Sequence, residues 1–294
     1  MNFRTDLALE KQEEYGGSEI KGVKHTEKEN ETTKTTRIQV LDKEGEEAIG
    51  KPIGNYITVE VPNFSQDGEI LDDRMTAIKD ELVSLLPKEG LIMVAGLGNE
   101  NITPDALGPR AVDKIIATRH ISPELAKSVG LEDLRMVAVV APGVLGQTGI
   151  ETGEIIKGIA DCVKPSAIIT IDALASRRLS RLGCTVQLAD TGVTPGSGIG
   201  NARTQINKET MGVPVIAVGV PTVVDAATLA YDLLGGEESE QELSEKLEGK
   251  GSQMIVTPRE IDLMIDRAAK LLALAINSSL QPTLSVEDII AMTS

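Results

Sequence analysis

The side chains best suited to chemistry are the carboxylates of Asp105 and Asp172. The run Leu91-Ile-Met-Val-Ala-Gly96 leads through Gly96-Leu-Gly-Asn99 to Thr103-Pro-Asp-Ala-Leu-Gly-Pro109, and Ser166-Ala-Ile-Ile-Thr-Ile171 leads straight into Asp172-Ala-Leu-Ala-Ser-Arg177. Such continuous apolar runs read as strands of a parallel sheet, and ligands of these sheets bind beyond the carboxyl ends of the strands. Two carboxylates held close together cannot both ionise cheaply, so one keeps a proton and the other accepts one. That arrangement can deprotonate an attacking water and protonate a leaving amine. The same pair could instead hold a hard divalent cation through oxygen. Singly, Asp105 would only complement a helix amino terminus and Asp172 would only cap the segment after its strand. Together, at one edge of one sheet, they point to a hydrolase.

Other constellations carry less. Asp190-Thr-Gly192 matches the triplet of pepsin-like and retroviral aspartic proteases, but those are all-β folds and this triplet lies in an α/β pattern. It reads as a loop tripeptide, with Asp190 a candidate substrate contact. Gly196-Ser-Gly-Ile-Gly-Asn201 has neither dinucleotide nor P-loop spacing and reads as a flexible or substrate-contacting loop, with Ser197 its candidate contact. Ser197 is not in a nucleophile elbow, and the two histidines, His25 and His120, lie in the amino-terminal arm and at a helix end. A Ser-His-Asp triad and a His-Glu-x-x-His zinc site are therefore both disfavoured. Asp225 reads as a dipole partner in the first turn of a helix.

The elements that must position the aspartates are set by periodicity. Strands are expected at 91–96, 135–141, 166–171 and 213–219, with helices at 71–86, 104–119, 151–163, 223–234 and 259–277. Thr103 and Pro104 signal a capped helix start with proline at the first helical position. Strand and helix in alternation predict an α/β core, a doubly wound, mostly parallel sheet flanked by helices, over residues 71–294. Residues 235–252 read as an acidic surface excursion. Residues 7–70 read as an amino-terminal extension, a mobile arm with at most a hairpin between 36–41 and 56–61.

Composition narrows the partners. The chain has 294 residues, 41% of them hydrophobic, with no Trp, three Tyr and two Phe, so its core must be built of Ala, Val, Ile and Leu. Few aromatics leave little for base stacking, and a net charge of −16 opposes a phosphate backbone, so no nucleic-acid partner is expected. The polar start offers no signal peptide and no run is long enough to span a membrane, so the chain is expected to be cytoplasmic, with no membrane partner. Cys162 and Cys184 fall in apolar segments and read as buried free thiols of a reducing compartment.

Longer motifs join the two aspartates. Arg4-Thr-Asp-Leu-Ala8, Gly50-Lys-Pro-Ile-Gly-Asn-Tyr-Ile-Thr-Val59, Ala141-Pro-Gly-Val-Leu-Gly-Gln-Thr-Gly149, Asp190-Thr-Gly-Val-Thr-Pro-Gly196 and Gly219-Val-Pro-Thr-Val-Val-Asp225 accompany the segments around Asp105 and Asp172. This set resembles the germination protease family, the spore endopeptidases of endospore-forming bacteria. The resemblance implies an atypical aspartic peptidase with Asp105 and Asp172 as its catalytic pair. It further implies a substrate class, the small acid-soluble spore proteins, cut after Glu during germination in the cytoplasm of the forespore and spore core. The family's core fold is similar to that of the hydrogenase-maturation peptidases, in which acidic residues at the two matching places bind metal with help from a histidine. No histidine here occupies a third position, which favours a dyad without a metal cofactor. A metal-dependent processing peptidase, with a divalent cation, is the alternative, and a non-catalytic binding protein using the Gly196–Asn201 loop is another.

The resemblance also implies a homotetrameric zymogen that removes a short amino-terminal segment by autoprocessing. Matching Arg4–Ala8 puts the cut between Asp6 and Leu7, making residues 1–6 a propeptide; Ser18-Glu19-Ile20 is a second candidate. Recognition of Glu calls for a cation, since an unpaired carboxylate is costly to desolvate. Arg110, Arg177 and Arg178 adjoin the two motifs and are the candidates, with surface salt bridges the plainer reading of all three.

Overall fold

The computed structural model describes residues 5–15, 19–65, 73–128, 131, 133–196, 203–233 and 254–293. In chain order these form α1 (Ala8–Glu13), β1 (Val23–Glu29), β2 (Lys34–Val40), α2 (Lys43–Ile49), β3 (Gly54–Glu60), α3 (Asp73–Leu85) and β4 (Ile92–Gly96). A 3-10 turn at Thr103–Asp105 precedes α4 (Leu107–Val112), α5 (Pro123–Ser128), β5 (Val137–Val140), α6 (Leu145–Thr148), α7 (Thr152–Val163) and β6 (Ala167–Ser176). The remainder is β7 (Thr185–Ala189), α8 (Lys208–Met211), β8 (Val215–Asp225), α9 (Ala226–Leu233), β9 (Ile255–Val256), α10 (Ile261–Leu280) and α11 (Val286–Thr293).

The four expected runs become β4, β5, β6 and β8, which lie parallel in the order β8-β6-β4-β5. Their side chains alternate between two cores, as the pleat requires. Ile92 and Val94 of β4 pack with Ile78 and Leu82 of α3, Ala111 of α4 and Leu272 of α10. Met93 and Ala95 face the opposite way, toward Ile156 and Ala160 of α7 and Met211 of α8. Burial on both faces is why these strands are uninterrupted apolar runs. The result is an α/β sheet flanked by helices.

The amino-terminal segment differs from the expected mobile arm. Residues 36–40 and 54–58 do pair, but α2 sits between the two strands, and β1-β2-β3 form an antiparallel meander joined to the core. β3 pairs with β7, and β7 with β8, both antiparallel, so one nine-stranded sheet runs β1-β2-β3-β7-β8-β6-β4-β5, with β9 on β8. Burial supplies the driving force: Ile57 and Val59 of β3 enter the main core, while Tyr56 packs with Ile38, Val40, Ala8 and Leu9. Outermost β1, Val-Lys-His-Thr-Glu-Lys-Glu, is exposed along nearly its whole length, and its charges discourage pairing with another chain.

Three further expectations change. The single helix at 104–119 is instead a 3-10 turn capped at Ile102 followed by the short α4, because the chain leaves the helical path at Ala106 (φ −88°, ψ 1°). Thr103 is therefore inside the turn rather than its cap. β8 extends to Asp225, whose carboxylate then accepts the Thr228 N–H at 3.3 Å, making it a cap of α9. Cys162 is exposed on the outer side of α7, and Cys184 is half-buried. The expected excursion at 235–252 lies outside the described residues.

Candidate active site

Asp105 is held by the exit from β4. After Gly96 the chain turns through Leu97-Gly98-Asn99, and Gly98 has φ 110°, a conformation that L side chains rarely adopt. A Cβ there would lie 2.0 Å from the Asp105 carbonyl oxygen. The glycine thus lets the two segments touch, and the Asn99 N–H donates to Asp105 Oδ2 at 2.8 Å. Asn99 Oδ1 accepts from the Asn101 N–H at 3.0 Å, the local turn its residue type favours. On the other side, Thr222 of β8 donates its hydroxyl to the Pro104 carbonyl at 2.8 Å.

Asp172 lies within β6 rather than past its end. β4 stops at Gly96, opposite Ile171, whereas β6 continues beside β8 to Ser176. Beyond Ile171, β6 therefore has an edge that no strand covers among the described residues, and Asp172 is the first residue of that stretch. Its Oδ1 accepts the Ala173 N–H at 2.9 Å, and the residue is only 8% exposed. Burial drives its pKa well above the ordinary carboxylate range, and the neighbouring charges of Asp105 and then Asp6 push the same way. Asp105 is less buried; desolvation raises its pKa and the Asn99 N–H opposes the rise. Both carboxyl groups are thus pushed toward the protonated form, as expected of a pair in which one keeps a proton and the other can accept one.

Asp105 and Asp172 share a cavity of about 390 Å³ with Asp6, Ala175 and Arg203. Asp6 fills the bare edge of β6: its N–H donates to the Ala175 carbonyl at 2.9 Å, and its Oδ2 accepts the Ala175 N–H at 2.9 Å. Its own carbonyl accepts from Lys51 Nζ and Gln187 Nε2, each at 3.0 Å. Leu7 and Ala8, next in the chain, are fully buried. Asp6 and Asp172 also wall a second cavity of about 380 Å³, together with Lys51, Tyr56, Gln187 and Asp190. The segment expected as propeptide therefore reaches the aspartate pair through its last residue.

The arginine candidates are placed elsewhere. The N–H groups of Arg177 and Arg178 donate to Glu10 at 2.7 and 2.8 Å, and their guanidinium groups meet Glu14 at 3.1 Å and Glu13 at 3.2 Å, so both dock α1. Arg110, on α4, lines neither cavity. The cation in the wall of the first is Arg203, 3.8 Å from Glu151. Asp190 accepts from the backbone and side-chain N–H groups of Asn55 at 2.7 and 2.6 Å, tying β7 to the start of β3. Ser197 lies outside the described residues. Sequence reasoning assigns no role to Lys51, Gln187 or Arg203; the signals for the first two are the motif Gly50–Val59, which contains Lys51, and a glutamine inside the apolar run Thr185-Val-Gln-Leu-Ala189.

Among the described residues, no group of three or more His, Cys, Asp or Glu side chains is arranged to hold a metal ion, and no helix is long and apolar enough to cross a membrane.

The fold is an α/β sheet flanked by helices with a carboxylate-lined cavity at one strand edge, and the activity is given by its relatives, which are endopeptidases. Residues 4–235 match the germination protease family, peptidase family A25. The germination protease of Caldanaerobacter subterraneus is 46% identical over 315 residues, covering 98% of this chain and 97% of the relative. Those of Clostridium perfringens (42%, 98% of both chains) and Bacillus subtilis (35%, 97% of this chain and 95% of the relative) align similarly. The chain belongs to the germination protease family. Among solved structures, the [NiFe] hydrogenase maturation protease HycI of Thermococcus kodakarensis KOD1 matches with a TM-score of 0.38 and 16% identity, over 67% of this chain and 98% of that one.

Proposed function

We propose that this germination protease starts the degradation of small acid-soluble spore proteins in the germinating spore core, cutting after Glu with water activated by Asp105 and Asp172. The observation that carries the reading is the buried Asp172 sharing one cavity with Asp105, at a strand edge able to bind extended peptide. Asp105, the less buried carboxylate, takes a proton from the attacking water. Asp172 supplies the proton that the leaving amine needs. An extended substrate pairs with the bare edge of β6, as Asp6 does. An acidic residue before the cut then meets the Ala175 N–H, with Arg203 the cation of the same cavity.

The chain is made as a zymogen that cleaves itself between Asp6 and Leu7, and it assembles as a homotetramer. Docking of Asp6 across the aspartate pair is what supports that processing position over Glu19–Ile20. The test is incubation of the purified protein with a small acid-soluble spore protein, with and without chelator, followed by sequencing of the new amino termini. Cleavage after Glu in both conditions is expected. Cleavage that stops with chelator and returns with a divalent ion would favour the metal-dependent alternative.

A further inference from the structure

The reaction needs donors for the oxygen of the scissile carbonyl. The Asp6 carbonyl receives two, Lys51 Nζ and Gln187 Nε2, each at 3.0 Å. Gln187 spans the Asp6–Leu7 bond, because its Oε1 also accepts the Ala8 N–H at 2.9 Å. On the far side of that bond the Leu7 N–H donates to Thr5 Oγ1 at 3.0 Å, and Asp6 is registered on β6 through Ala175. The Asp6–Leu7 bond is thus held from both sides, and its carbonyl oxygen faces a cation, Lys51.

We propose that Lys51 Nζ and Gln187 Nε2 form the oxyanion hole of this peptidase, first for its own Asp6–Leu7 bond and then for the substrate carbonyl that replaces it. The proposal rests on Asp6–Leu7 being the processed bond. Asp6 and Asp172 wall both cavities; Lys51 and Gln187 line one of them and Asp105 lines the other. Water attacks the Asp6 carbonyl carbon, forming a C–O bond and passing its proton to Asp105, while the carbonyl electron pair moves onto the oxygen between Lys51 and Gln187. Collapse re-forms the carbonyl and breaks the C–N bond as Asp172 protonates the Leu7 nitrogen. The proton on Asp105 then returns to Asp172, restoring the pair. Hydrogen bonds from a cation and an amide strengthen as the oxygen becomes anionic, so they favour the transition state over bound peptide. Desolvation of Lys51 lowers its pKa and Asp6 pulls it back up, as expected of an ammonium group held in a dry site against this residue.

The plainer role for Lys51 is to anchor the amino-terminal segment, and the experiment separates the two. Full-length Lys51→Met and Lys51→Arg are compared with wild type by intact mass during self-cleavage, by amide exchange at Ala8 and Ala175, and by kcat and KM on an added spore protein. Lys51→Met should slow self-cleavage by about 10²- to 10³-fold and depress kcat similarly. KM and exchange protection should stay near wild type, and arginine should restore most of the rate. Loss of protection at Ala8 with kcat unchanged would assign Lys51 to anchoring and overturn the proposal. So would self-cleavage of Lys51→Met at the wild-type rate. A wild-type mass that places the cut at Glu19–Ile20 instead would overturn the processing reading itself, and this proposal with it.

Discussion

Replacing Gly98 by alanine strikes the site through a single backbone contact. The new Cβ would sit 2.0 Å from the Asp105 carbonyl oxygen and 3.0 Å from its Oδ1, where ordinary contact begins at 3.4 Å. Relief requires the Asp105 segment to retreat by roughly 1.4 Å, and a misplacement of about 1 Å in a catalytic group costs on the order of 10²-fold in rate. The positive φ at Gly98 adds backbone strain, so the expected stability loss is about 1–3 kcal/mol. Gly98→Ala should therefore melt at a lower temperature yet remain folded by circular dichroism, while kcat/KM on a spore protein falls about a hundredfold. Activity within threefold of wild type in the folded variant would refute the claim that the Gly98 contact positions Asp105.

Two other perturbations read the electrostatics and the docking of α1. Because Asp172 has its pKa raised on folding, the folded protein binds that proton more tightly than the unfolded chain does. The resulting stability is present below the ordinary value of 3.8 and is lost as pH rises through the raised one. Asp172→Asn should therefore unfold at a higher temperature than wild type at about pH 8, with the gain vanishing near about pH 3; an equal difference at both pH values contradicts it. Glu10→Ala leaves the N–H groups of Arg177 and Arg178 without their acceptor, at a site where Glu10 is only 2% exposed. A loss of about 2–4 kcal/mol in denaturant unfolding is expected, and less than about 0.5 kcal/mol would show that α1 docks by other means.

How far the sequence reveals this site depends on whether each signal is local. β4, β5, β6 and β8 are legible because burial on both faces forces uninterrupted runs such as Ile92–Ala95 and Ile168–Ile171. Asp105 and Asp172 are legible for the same reason, as acids placed where such runs end. The β1–β3 meander is not: Lys34-Thr-Thr-Arg-Ile-Gln-Val40 has the composition of a solvated arm, and it is ordered by pairing with β3, which in turn needs the distant β7. The resemblance names Asp6, but its docking on β6 is illegible because its partner, Ala175, lies 169 residues away. Arg177 and Arg178 adjoin Asp172 in sequence, yet β6 extends past the aspartate and carries them to α1, so adjacency in sequence leads to cations that pair with Glu14 and Glu13.

Hydrolysis by the Asp105–Asp172 pair, as proposed above, is open to a direct test. The direct measurement is cleavage of a small acid-soluble spore protein by wild type, Asp105→Asn and Asp172→Asn, each checked for native circular dichroism and each assayed with and without chelator. Wild type is expected to cut under both conditions, and each folded variant to lose cleavage of the substrate and of its own Asp6–Leu7 bond. Substantial cleavage by either folded variant would contradict hydrolysis by this pair.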